Sequence, residues 1–142
     1  MPHKFKTLET YFHEVWVKGN LDALDTLFAP GARTRGIRGD TAFDADELKE
    51  LVAMVHPLLG PINFTIPKVM EQEDWLSAMV EIKSHAIDNN HPIHVVNQIM
   101  ARFDGEQMIE IYSNLDGLTF FEQLGLLPDN AMAVMLGGTR LR

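Results

Sequence analysis

Between Thr7 and Lys18 the apolar residues fall at Leu8, Tyr11, Phe12, Val15 and Trp16. That i, i+3, i+4, i+7, i+8 spacing lines one face of a helix. Thr7 stands where a simple N-cap would, Gly19 supplies a C-terminal stop, and Asn20 can cap a second helix. The second stripe is Leu21, Leu24, Leu27 and Phe28, and Ala29-Pro30-Gly31 predicts its end. A third helix opens at Asp44. Glu47, three residues on, completes a capping-box pattern. Leu48, Leu51, Val52, Val55 and Leu59 form its stripe, and Gly60-Pro61 closes it.

Beyond Pro61 the period changes to two. Phe64, Ile66 and Val69 belong to a strand interrupted by Pro67, which predicts an edge position or a bulge. From Trp75 to Ile87, the residues Leu76, Ala78, Val80 and Ile82 alternate with Ser77, Met79, Glu81 and Lys83, as in a half-buried strand. Two further strands, Ile93 to Phe103 and Met108 to Leu115, are joined around Asp104-Gly105. Short links between consecutive strands predict an antiparallel meander. Arg33, Arg35 and Arg38 lie in a short strand and turn between Ala32 and Asp40. The expected architecture is α+β, with N-terminal helices packed on a strongly curved, mostly antiparallel sheet. The domain spans residues 1–128. A tail, 129–142, carries Met132, Val134, Met135 and Leu136, and is expected to lie on the sheet, cover the pocket mouth or pack on a second subunit.

Composition narrows the function. A chain of 142 residues suits one domain, and 46% hydrophobic content is ordinary for a globular protein. The absence of cysteine removes disulfides, a thiol nucleophile and thiolate metal ligands, in keeping with a cytoplasmic protein. No secretory signal pattern opens the chain, and no apolar run approaches the ~20 residues of a membrane span. A formal net charge of −8 without a basic stripe argues against nucleic acid as a partner.

Alternation sorts the polar residues by face. Asn97 shares the apolar face of its strand with Val95, Ile99, Ala101 and Phe103, so it either pairs within the fold or meets a ligand in a cavity. Ser113 falls on the inner face with Ile109, Ile111 and Leu115. Met108, Glu110, Tyr112 and Asn114 fall on the other. Asp116, where that strand ends, serves as a turn or helix cap or as an acid-base group. His85, His91 and His94 lie close in sequence but bring no further ligand motif, so no metal is expected. His85 shares a face with Glu81 and Lys83 and reaches the interior only if a bulge turns it. Trp16 is a core residue or a ligand platform, and the eight methionines suit an adaptable apolar pocket as well as an ordinary core.

The succession YFHEVWVKGNLDALDTLFAP, RTRGIRG, DADELKELVAMVHPLLG and FDGEQMIEIYSNLDGLTFFEQLGLLP resembles the SnoaL-like polyketide cyclases, within the nuclear-transport-factor-2-like and ketosteroid-isomerase-like superfamily. The resemblance runs nearly to Pro128. It implies a cystatin-like cone enclosing a mostly apolar cavity, and dimers formed through the open sheet face. The face carrying Glu81, Lys83, Gln98, Met100 and Tyr112 is the expected homodimer surface. Catalytic members place an acid or base on or just after the last strand, which matches Asp116 here, whereas the inward-facing position is Ser113.

Two functions follow. One is an enzyme acting by proton transfer on a small, largely apolar molecule, in an isomerisation, cyclisation or hydration-type reaction. Asp116 is then the base, with His85 as a conditional participant, and Asn97, Ser113, Tyr112 and Trp16 are the substrate contacts. The other is a non-catalytic ligand-binding or dimeric interaction domain. Neither calls for a cofactor.

Overall fold

The computed structural model describes residues 3–141, so Met1, Pro2 and Arg142 of the expected domain and tail lie outside the described residues. Helix α1 (His3–Tyr11) runs into a wider π-type turn at Phe12–Val17. There the Lys18 N–H reaches back five residues to the His13 carbonyl at 2.9 Å. The helix begins at His3, four residues before the expected cap, so Thr7 is an interior, buried residue rather than a cap. A 3-10 turn (Leu21–Ala23) and α2 (Leu24–Leu27) follow. Asn20 precedes them without capping, because its side chain donates to Glu14 Oε1 at 3.2 Å instead.

The predicted break at Ala29-Pro30-Gly31 is instead the start of a strand. β1 (Phe28–Gly36) continues through these residues, and β2 (Gly39–Phe43) pairs back on it. Pro30 has no N–H to give a ladder. The β1 register against its neighbour shifts between Phe28 and Arg33, where a bulge absorbs the irregularity. Helix α3 (Ala45–Val55) carries the full capping box: Glu47 N–H donates to Asp44 Oδ1 at 2.9 Å, and Asp44 N–H to Glu47 Oε1 at 3.0 Å. A 3-10 turn (His56–Leu58) ends it.

The meander comprises β3 (Asn63–Gln72), β4 (Trp75–His85), β5 (Pro92–Asp104) and β6 (Gln107–Leu115). Sheet order is β2-β1-β6-β5-β4-β3, antiparallel throughout except for the parallel β1–β6 pair. β3 is an edge strand, and its register slips between Thr65 and Lys68, at Pro67. The sheet is curled but open, and the N-terminal helices and α3 pack on its concave face. Helix α4 (Gly117–Gln123) follows β6, and α5 (Ala131–Leu136) lies in the tail.

Period-two alternation holds along β4 and β5, but the β5–β6 register shifts between Arg102 and Phe103, so Met108, expected on the outer face of β6, is buried. Leu76, Ala78 and Val80 of β4 are buried, as are Val95, Asn97, Ile99, Ala101 and Phe103 of β5. Two apolar clusters result. The larger joins α1, the π-type turn, α3 and the lower sheet through Leu8, Phe12, Val15, Leu48, Val52, Met108 and Ile111. The smaller gathers Ala86, Ile93, Val95, Phe120 and Leu124 beneath α4.

Candidate functional site: an apolar cavity at the seam of two cores

The two clusters do not close on each other. A cavity of about 230 Å³ lies along their seam. Tyr11, Phe12 and Trp16 form one wall, and Leu48, Leu51 and Val55 of α3 form another. The sheet contributes Phe28 and Thr34 from β1, Val95, Asn97 and Ile99 from β5, and Met108, Ile111, Ser113 and Leu115 from β6. Gly117, Phe120 and Phe121 enter from α4. Three wall residues, Ile37, Leu115 and Phe121, are 37%, 40% and 42% exposed, which makes them an apolar rim at the mouth.

The π-type turn explains one polar pair in this wall. Widening the helix brings residues five apart onto one face. Trp16 Nε1–H therefore donates to the Tyr11 hydroxyl at 3.2 Å. Burial pushes the Tyr11 phenol up to about 12, opposed in part by the bond from Trp16. The phenol is thus a neutral group with its own proton still to give. Its hydrophobic stripe position concealed this role in the sequence.

Asn97 is buried in mid-β5, and its carboxamide oxygen accepts a hydrogen bond from Ser113 Oγ at 3.2 Å. Thr34 of β1 is also in the wall and 3% exposed. Its hydroxyl is the one buried side-chain polar atom without a partner among the described residues. Alternation could have found it, since Thr34 is the inward residue between Arg33 and Arg35, both exposed. Gly36, with φ of +95°, lets β1 approach β6 here: a Cβ would stand 2.8 Å from the Ser113 carbonyl oxygen and the Asn114 amide nitrogen.

Of the residues singled out from sequence, Asn97, Ser113 and Trp16 stand together in the cavity wall, and three others do not. Tyr112 projects from the opposite sheet face, where its hydroxyl donates to Glu110 Oε2. Arg102 Nε also donates to Glu110, at 2.9 Å. The Tyr112 and Arg102 hydrogen bonds hold the Glu110 carboxyl below its ordinary value, and the Glu110 bond pushes the Tyr112 phenol up. Asp116 is the N-cap of α4, exposed, accepting from Thr119 N–H at 3.2 Å and Thr119 Oγ1 at 2.8 Å. Only the next residue, Gly117, reaches the wall. No bulge turns His85 inward. Its ring covers the Cα of Gly60, where a side chain would collide with it, and its carbonyl accepts from Gly60 N–H at 2.8 Å.

The remaining histidines of that group are engaged separately. His94 Nε2 meets Glu81 Oε1 at 3.0 Å, and His91 Nδ1 lies 3.0 Å from the Pro92 carbonyl. Among the described residues no three His, Asp or Glu side chains converge as a metal site. None of the described helices is long and apolar enough to cross a membrane.

Fold and cavity together define a class. Residues 8–111 match the SnoaL-like domain family, and the chain belongs to it. Solved structures share the fold at low identity. A candidate SnoaL-like polyketide cyclase from a Jannaschia species superposes with TM-score 0.75 at 15% identity, over 89% of this chain and 94% of that one. IdmH, a candidate polyketide cyclase from Streptomyces antibioticus, gives 0.73 at 19% identity, over 88% and 99%. A Catenulispora acidiphila protein with a ketosteroid isomerase-like fold, solved in complex with trimethylamine, gives 0.70 at 20%, over 84% and 93%. A search of curated proteins gave no match.

Proposed function

We propose that this protein binds a small, largely apolar molecule in the cone cavity. One observation carries the reading: the wall is apolar, its polar groups are neutral, and among the described residues none in the wall bears a carboxylate, imidazole, ammonium or guanidinium. A few placed polar groups in an otherwise apolar concavity are the usual anatomy of a small-molecule site. The volume of about 230 Å³ suits a small molecule of one or two rings. Trp16 in the wall supplies the assay. With Trp75, on the outer sheet face, replaced by Phe, Trp16 is the sole tryptophan. Its emission should shift on titration with a bicyclic apolar probe and stay constant with a charged sugar phosphate. Unchanged emission and no calorimetric heat across a panel of such probes would sink the reading.

A second reading, proton transfer on the bound molecule, rests on Asp116 standing next to Gly117 of the wall. The neighbours named as candidate polyketide cyclases lend it analogy only. Asp116 would leave its cap to take a substrate proton, while the Asn97 amide and Tyr11 phenol donate to the developing oxyanion. Asn is itself a good N-cap. Asp116→Asn should therefore keep the fold and ligand binding while abolishing turnover. Unchanged turnover in that variant would remove Asp116 from the mechanism. We also propose a homodimer through the outer face that carries Glu81, Lys83, Gln98, Met100 and Tyr112.

A further inference from the structure

The parts of the cavity wall are held with unequal firmness. Phe12, Leu48, Ile99 and Ile111 root the helices and the sheet in the larger apolar cluster, whereas the buried residues of α4, Phe120 and Leu124, belong to the smaller one. Helix α4 also stands in for a missing strand. The β5–β6 ladder ends at Asn97 and Leu115, so β5 from Pro92 to Val96 has β4 on one side and no strand on the other. Helix α4 closes this bare edge at two points. At its start the Asp116 N–H donates to the Val96 carbonyl at 3.3 Å. At its end the Gln123 carboxamide takes both backbone groups of His94: Oε1 accepts from the N–H at 2.8 Å, and Nε2 donates to the carbonyl at 3.2 Å. A primary amide can copy a strand neighbour in this way because it carries an acceptor and donors side by side.

We propose that α4 is the gate of the cavity, lifting from β5 as a unit with Gln123 as its latch and the Asp116–Gly117 junction as its hinge. The inference rests on the binding reading above and adds to it the ligand's route of entry. Both Gln123 hydrogen bonds lie at the exposed surface, where water can replace them. A segment held by few buried side chains and by exposed hydrogen bonds is the kind that opens locally, without global unfolding. Gly117 has open space where a Cβ would stand, so the junction is free to turn. Phe121 of α4 is one of the three rim residues, so lifting the helix widens the mouth. The same movement uncovers Val95, which shares the smaller cluster with Phe120 and lines the cavity.

Thiol trapping tests the gate without a ligand, because the chain has no cysteine of its own. Val95→Cys places a thiol beneath α4, and Val80→Cys places one in the larger cluster, fully buried and outside the cavity wall. Each is labelled with dipyridyl disulfide, and the released thiopyridone is followed by absorbance. The Val95→Cys protein should react at least about a hundredfold faster than the Val80→Cys protein, because local opening needs less free energy than global unfolding. Its rate should be almost independent of urea, while that of Val80→Cys climbs steeply. Adding Gln123→Ala should speed the Val95→Cys reaction about tenfold, through loss of a pair of partly exposed hydrogen bonds, without steepening its urea dependence. Equal rates and urea slopes for the two thiols would mean that α4 does not open on its own. An unchanged rate with Gln123→Ala would mean that Gln123 is no latch. Either result overturns the proposal. In a second arm, tetralin binding is followed by stopped-flow Trp16 emission in the Trp75→Phe protein. Gln123→Ala should raise the association and dissociation rates together, each about tenfold, and leave Kd within about threefold, because the latch is remade in the complex. Unchanged rates would put the entry route elsewhere and overturn the gate. If tetralin does not bind the wild type, the binding reading fails, while the thiol rates still decide whether α4 opens.

Discussion

β1, β6 and β5 carry two polar groups of residues, one on each face of the same stretch of sheet. Outside stand Arg35, Glu110, Tyr112 and Arg102, and inside stand Thr34, Ser113 and Asn97. The outer set is charged, and the Arg102–Glu110–Tyr112 part of it is closed by hydrogen bonds. Arg102 also lies 5.9 Å over the Trp75 ring. In the protomer such a network borders solvent, where each pair adds little to stability. The inner set is neutral and incomplete, with one hydrogen bond between Ser113 and Asn97 and one hydroxyl left over. Buried at 3% exposure, that unpaired hydroxyl weighs more than an exposed pair of the outer network does. The difference teaches that the informative polar groups of this protein are the few and weak ones, because burial sets how strongly each acts.

The contrast is sharpest between neighbours on one strand. Ile99 is buried in the cavity wall, and Met100 is 46% exposed on the other face. Ile99→Asp should cost on the order of 4 kcal/mol or leave the chain unfolded, since a carboxylate there finds no partner. Met100→Asp should leave the protomer's unfolding free energy within about 0.5 kcal/mol of the wild type and, if the outer face is the dimer surface, yield a monomer by light scattering. A wild-type protein already monomeric at micromolar concentration would refute the dimer.

A second effect belongs to the inner face alone. The Tyr11 phenol titrates near 10.0 when unfolded and at about 12 when buried. The folded value is raised, so the folded state holds the proton longer. The stabilisation is fully present below the unfolded value and is lost as pH rises through the folded one. Urea melts should therefore show stability falling from about pH 10 to pH 12, by as much as ~3 kcal/mol at ~1.4 kcal/mol per pH unit. Tyr11→Phe should flatten that limb. A limb of unchanged slope in the variant would mean that the phenol is hydrated.

Asp116 lies between the two regimes. As an exposed cap of α4 it should lose about 1 kcal/mol on replacement by Ala and little on replacement by Asn. A loss as large with Asn as with Ala would point to the charge rather than the cap. The smallest effect is expected outside. Glu110 titrates below its ordinary 4.5, chiefly through its bond from Tyr112 and then that from Arg102. The depressed value means a contribution present above about pH 4.5 and lost as pH falls through the folded value. Glu110→Gln should slightly flatten the acid limb, and 1 M salt should shrink the difference. A large, salt-independent loss would reverse the ranking of the two faces.

Local patterns alone determined much of this protein. The capping box of α3, the inward set of β5 with Asn97 in it, the irregularity at Pro67 and the meander of the last four strands follow from spacing and from residue chemistry that acts within a few residues. Tertiary structure decided the rest. The π-type turn that sets Trp16 against Tyr11, the strand that continues through Pro30, and the parallel β1–β6 pair depend on partners far away in the chain. So does the site. Asp116 and His85 have the chemistry of a catalytic pair, but packing commits one to Thr119 and the other to Gly60. Thr34 reads as an ordinary residue of a short arginine-rich strand, yet the fold sets it diagonally from Ser113, some 79 positions later in the sequence, and leaves its hydroxyl unpaired. Periodicity reports which face a side chain takes. Whether that face finds a partner, water or an empty space is a property of the surfaces that meet there, and those are assembled only when the chain folds.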